Sequence, residues 1–99
     1  MAKYKLTNRA VDDLTKIWNY TFLKWSENQA DKYYLMLLET CNEVAVNPEL
    51  GKNYSIVKEN LFGFKAGRHI IFYIKSEEYQ IEILRILHEK MDLKNRILE

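Results

Sequence analysis

The sequence predicts an α+β fold in two layers, with an antiparallel helix hairpin packed on an antiparallel sheet. Three observations lead there. Residues 8–25 and 27–47 repeat apolar side chains at intervals of three and four, the helical period. Only a few residues around Ser26 separate these segments, so two helices must double back on each other. Residues 61–66, 68–75 and 79–87 are rich in β-branched and aromatic side chains and are joined by short turns, as in a meander. A short strand before the hairpin and a helical turn at the end complete the order β-α-α-β-β-β-α.

Each element has a local reason. In Ala2–Thr7, Tyr4 and Leu6 alternate with Lys3 and Lys5, the pattern of an edge strand with a lysine-rich outer side. Thr7 or Asn8 caps the first helix by accepting from backbone N–H groups two or three residues on. Asp12 and Asp13 lie early in that helix, where carboxylates favour the positive end. Ala10, Leu14, Ile17, Trp18, Thr21, Phe22 and Trp25 form its apolar stripe. Ser26 with Gln29 has capping-box spacing and starts the second helix. Its stripe runs Ala30, Tyr33, Tyr34, Leu37, Leu38, Cys41, Val44 and Ala45, and Pro48 ends it by pushing Asn47 out of helical geometry. Residues 52–60 read as irregular or weakly extended. Ala66-Gly67 makes a tight reversal. In 79–87, Ile81, Ile83, Arg85 and Leu87 share one parity, and Leu84 and Ile86 the other. That strand is apolar on both sides, so the sheet is covered, at least in part, on both faces. Leu93, Ile97 and Leu98 mark the last helical turns. The place of the first strand in the sheet is not readable.

Size and composition narrow the class. Ninety-nine residues make one domain, 1–99, large enough to bury roughly 65% of its unfolded surface. The apolar fraction of 47% is that of a globular chain rather than a disordered one. A single cysteine, Cys41, excludes an internal disulfide and reads as a small core residue. No apolar run reaches membrane-spanning length and the start lacks a signal-peptide core, so a cytoplasmic location and no membrane partner are expected. The net charge of +1 argues against non-specific nucleic-acid binding. The stretch 52–75 is locally basic, with Lys52, Lys58, Lys65, Arg68 and Lys75 against Glu59.

The two histidines, His69 and His88, have no third ligand at workable spacing, so no metal site and no cofactor are expected. Gly-rich phosphate loops and nucleophile elbows are absent. What remains is a cluster of Arg68, Tyr73, Arg85, His88 and Lys90, the residue types that clamp a phosphate or run metal-free acid–base chemistry. Each also has a structural reading: Arg85 can pair with a carboxylate such as Glu82 or Glu89, and Tyr73 can be core.

Four segments match a known family in order: YKLTNRA (4–10) with Asp13-Leu14 and IWNYT (17–21); QADKYY (29–34); NPELGK (47–52); and GRHIIFY (67–73) with IEILRILHEKMD (81–92). Together they resemble the ParE toxins of the RelE/ParE type II toxin–antitoxin superfamily. The resemblance implies a bacterial toxin on that family's two-layer fold, neutralised by a ParD-like antitoxin whose C-terminal segment wraps it. It further implies inhibition of DNA gyrase without covalent chemistry. The alternative is the RelE-like branch, a ribosome-dependent mRNA endonuclease. That branch uses an arginine in the second strand, where Phe64 or a neighbour stands here, and a terminal tyrosine, which 93–99 lacks. A dianionic phosphate clamp loses several kcal/mol without its cations, so the non-catalytic branch is favoured, with no catalytic residue and no sequence-specific nucleic-acid binding. Lys90 departs mildly from the arginine of many ParE-like sequences.

The expected target surface is Arg68, His69, Arg85, His88, Lys90, Met91 and Asp92, at one end of the sheet. Trp18, Phe22, Trp25, Tyr33 and Tyr34 outnumber what a core of this size needs. They are expected to accept an amphipathic antitoxin helix, while an open sheet edge accepts a strand.

Overall fold

The computed structural model describes residues 3–98. Strand β1 (Tyr4–Leu6) leads into helices α1 (Asn8–Lys24) and α2 (Glu27–Val46), followed by a 3-10 turn, Pro48–Leu50. Strands β2 (Lys52–Asn53), β3 (Phe62–Ala66), β4 (His69–Lys75) and β5 (Ile81–His88) precede helix α3 (Leu93–Leu98). The α+β expectation holds, with the hairpin on one face of the sheet. The caps hold too. Thr7 Oγ1 accepts from Ala10 N–H at 3.1 Å, and Ser26 Oγ from Gln29 N–H at 3.0 Å.

The sheet departs from expectation in three ways. Its order is β1-β5-β4-β3-β2, and β1 lies parallel to β5, so only β2–β5 form an antiparallel sheet. Three residues of β1 carry too little pattern to reveal this. Its place is fixed where α1 begins, by Thr7 N–H on Ile83 O (3.1 Å) and Thr7 Oγ1 on Leu84 O (2.8 Å). Second, the stretch read as irregular or weakly extended includes a two-residue strand, β2, paired with Phe62 and Gly63. Third, β5 bulges. Phe72 pairs with Arg85 and Tyr73 with Ile83, which leaves Leu84 extra. The bulge reverses parity along the strand. Ile81, Ile83 and Ile86 join the core under the hairpin, while Leu84 and Leu87 pack on the opposite face.

The hairpin-side core joins Ala10, Leu14, Leu37, Cys41 and Val44 to Ile71 and Tyr73 of the sheet. The other face buries Leu61, Ile70, Phe72 and Leu87 beneath Tyr54 and Val57 of the β2–β3 connection and Leu93 and Ile97 of α3. Both faces are covered, as the two-sided apolar pattern requires. Tyr73 also pins the turn after α2: its hydroxyl donates to Pro48 O (2.8 Å) and accepts from Gly51 N–H (2.9 Å). Cys41 is wholly buried, and burial pushes its thiol up to about 12, so it is an inert core residue.

Candidate partner-binding groove

The last residues of β5 and the outer half of α1 enclose a groove of about 880 Å³. It exists because β1 is short. β1 pairs with β5 only at Ile81–Ile83, so beyond that point α1, not a strand, flanks the β5 edge. The α1 wall presents Lys16, Ile17, Tyr20, Lys24 and, past the helix end, Trp25. The sheet wall presents Arg68, His69, Ile86, His88, Lys90 and Met91. Tyr33 reaches in from α2.

Arg85 and Asp13 hold the two walls together. Arg85 Nε donates to Asp13 Oδ2 at 2.8 Å and Nη2 to Oδ1 at 3.0 Å. Asp13 Oδ2 also accepts from Ile86 N–H at 3.0 Å, which satisfies the strand edge that β1 does not reach. Arg85 Nη1 donates to Arg96 O at 2.6 Å and so ties in α3. Arg85 is thus paired, but with Asp13 rather than with Glu82 or Glu89. Reading Asp13 as a helix-end charge missed this, since Asp13 lies beyond the first turn of α1 and is only 7% exposed. A signal for it was present. Asp13 sits within a helical apolar stripe and Arg85 within an apolar strand, and lone opposite charges in two apolar runs have to find each other.

A second polar chain lies across the groove. Tyr33 Oη accepts from Arg68 N–H at 3.0 Å and lies 2.6 Å from His69 Nδ1. Tyr33 Oη also lies within donating reach of Ala66 O at 3.5 Å, and which partner donates in the Tyr33–His69 bond depends on the histidine tautomer. The His69 ring meets His88 edge to face at 5.2 Å between centroids. Burial lowers the His69 pKa to about 4, helped by His88 and opposed by Asp13 and Glu89. Burial also raises the Tyr33 hydroxyl. Tyr33 packs against Gly67, whose φ of 61° needs glycine; an added Cβ would lie 2.8 Å from Tyr33 Oη.

Of the expected target surface, Arg68, His69, Arg85, His88, Lys90 and Met91 line this groove. Asp92 does not. It opens α3, with Oδ2 accepting from Asn95 Nδ2 at 2.7 Å. Of the aromatic set, Trp25 and Tyr33 line the groove. Trp18 stacks on Phe22 at 5.3 Å, and its Nε1 donates to Asp31 at 3.0 Å, bracing α1 on α2. Tyr34 packs on the hairpin-side core. Trp25 is 71% exposed and Phe22 43%, so aromatic surface does emerge at the hairpin tip. From the basic stretch 52–75, only Arg68 and His69 reach the groove. Lys65 pairs with Glu89 at 3.0 Å, and Lys75 pairs with Glu49.

Lys16, Lys24, Arg68 and Lys90 therefore rim an apolar trough. The one carboxylate lining it, among the described residues, is Asp13, and Arg85 already holds it. No group of three or more His, Cys, Asp or Glu that could hold a metal occurs among the described residues, and no described helix is long and apolar enough to cross a membrane.

A small α+β chain with a basic, apolar-floored groove beside its hairpin is the class this geometry defines. Residues 4–93 match the family model described as "ParE toxin of type II toxin-antitoxin system, parDE". The chain is 31% identical over 94 residues to Toxin ParE1 of Caulobacter vibrioides, covering 95% of this chain and 96% of that one. It is 29% identical over 96 residues to Toxin ParE1 of Mycobacterium tuberculosis, covering 97% and 98%. A solved structure described as the chromosomal ParDE TA system from P. aeruginosa superposes with a TM-score of 0.75 at 18% identity, over 89% of this chain and 96% of that one. The chain belongs to the ParE toxin family, within the RelE/ParE superfamily.

Proposed function

We propose that this toxin inhibits DNA gyrase by binding it, and that a ParD-like antitoxin neutralises it in the bacterial cytoplasm. The observation that carries the antitoxin half is the groove: a cationic rim over an apolar floor, with Trp25 standing exposed beside it. An amphipathic segment with carboxylates flanking its apolar face complements that surface. The gyrase half rests on what the resemblance to ParE toxins implies, now that the chain is placed in that family. Against the mRNA-cleaving alternative stands Arg85, whose guanidinium is engaged by Asp13 and the Arg96 carbonyl rather than presented for a phosphate.

A supercoiling assay with purified gyrase and toxin tests the reading. Supercoiling should fall as toxin is added and recover when the cognate antitoxin is supplied. Undiminished supercoiling at excess toxin sinks it, and cuts in translated mRNA would favour the nuclease instead.

A further inference from the structure

We propose that the antitoxin segment in the groove lies there as an extended strand, parallel to β5, and takes up the β5 edge where β1 leaves it. This rests on the reading of the groove as the antitoxin surface and adds the form and direction of what fills it. The ladder to β4 fixes which main-chain groups face the groove. Glu89 N–H donates to Arg68 O at 3.0 Å, so His69 and His88 oppose each other without exchanging hydrogen bonds, and the bonded pair is Ile70 with Leu87. Ile86 and His88 therefore turn their N–H and C=O groups away from β4, toward the groove that both residues line.

Ile86 N–H already donates to Asp13 Oδ2 at 3.0 Å, and His88 O already accepts from Met91 N–H at 3.0 Å. Ile86 O and His88 N–H have no hydrogen-bond partner among the described residues. This open pair selects a direction. In a parallel ladder one residue donates its N–H to the residue before its opposite number and accepts at its C=O from the residue after it. Opposite Leu87, a single partner residue thus fills both Ile86 O and His88 N–H. An antiparallel strand would exchange both bonds with Ile86 or with His88, where Asp13 and Met91 stand in the way. β1 already uses this edge in the same direction: it lies parallel to β5, and Thr7 N–H donates to Ile83 O at 3.1 Å. A helix offers no match, because its main-chain groups are bonded within it. Laid over this edge it would shut Ile86 O and His88 N–H off from water and replace neither bond.

Side-chain alternation gives the character of the segment. Leu87 faces the side covered by Leu93 and Ile97 of α3, so the partner residue opposite it faces that side too. The two residues flanking it face the hairpin side, where Ile17 and Tyr20 line the trough, and are apolar. Acidic residues beyond them meet the rim of Lys16, Lys24, Arg68 and Lys90.

The test is an NMR measurement of scalar coupling across hydrogen bonds in the complex of the full chain with its full-length cognate antitoxin, both isotope-labelled. The His88 amide should couple to an antitoxin carbonyl, and the Ile86 carbonyl to the amide of that same antitoxin residue. Exchange of the His88 amide with solvent should slow by about tenfold or more when the complex forms. Lys90→Glu on the rim should weaken the complex by about tenfold. Lys75→Gln should leave it unchanged, since Lys75 ends the far side of β4 and pairs with Glu49. A complex that forms without these couplings, with an antiparallel pattern or with a helix over β5, overturns the parallel strand and leaves the antitoxin reading standing. Failure of the two proteins to associate at all overturns both.

Discussion

The two ends of α1 carry the same apolar stripe and meet opposite fates. Ala10 and Leu14 are buried against the sheet, and the carboxylate between them is locked to Arg85. Three turns on, Phe22, Leu23 and Trp25 stand exposed. The sheet explains the difference: β1 and β5 run under the first half of the helix, and the second half projects past them over the groove. A continuous stripe therefore reports amphipathicity, not core. Where the layer beneath it ends, the same residue types are left as exposed apolar surface.

The largest effect that would break this comparison is at the anchored end. Asp13→Ala should destabilise the fold by about 3–5 kcal/mol, because it leaves the Arg85 charge and the Ile86 N–H unpaired in a nearly dry site. Urea unfolding measures it, and a loss under ~1 kcal/mol would show the pair to be ornamental. At the projecting end, Trp25→Ala should change stability by less than ~0.5 kcal/mol. It should weaken antitoxin binding by roughly tenfold or more, the range of an exposed aromatic anchor. If instead the variant unfolds early, Trp25 is core and the contrast between the two ends is lost.

The smallest effect is on pH. His69 is held neutral beside Tyr33 and His88, with a pKa of about 4 against an ordinary 6.5. The unfolded chain takes up that proton first. Its contribution to stability is therefore fully present above 6.5 and is lost as pH falls through the window down to about 4. Replacing His69 with Asn should flatten stability against pH across that window. An unchanged slope would mean that other groups carry the acid sensitivity.

Much of the fold was legible because it rests on local chemistry. Thr7 and Ser26 cap where hydroxyls with free N–H groups downstream should cap, and Pro48 follows the end of α2. What was not legible depends on distant partners. The parallel pairing of β1 has its cause in Thr7 reaching Ile83 and Leu84, which no local pattern encodes. The bulge at Leu84 defeated parity, since one extra residue moves every later side chain to the other face. The site was legible in part. Arg68, His69, Arg85, His88 and Lys90 do line one groove, but Asp13, Lys16 and Lys24 complete it from a helix read for its apolar stripe and its helix-end carboxylates.

Asp13 and Arg85 stand 72 residues apart in the chain, and Thr7 and Leu84 stand 77 apart. On a ribosome, synthesis proceeds from α1 to β5, so the hairpin emerges while the strand that completes its groove does not yet exist. Closing so long a loop comes late and costs entropy that only the finished contacts recover. If the groove receives the antitoxin as proposed, the nascent chain lacks that surface until β5 has been made, and recognition waits for the completed chain.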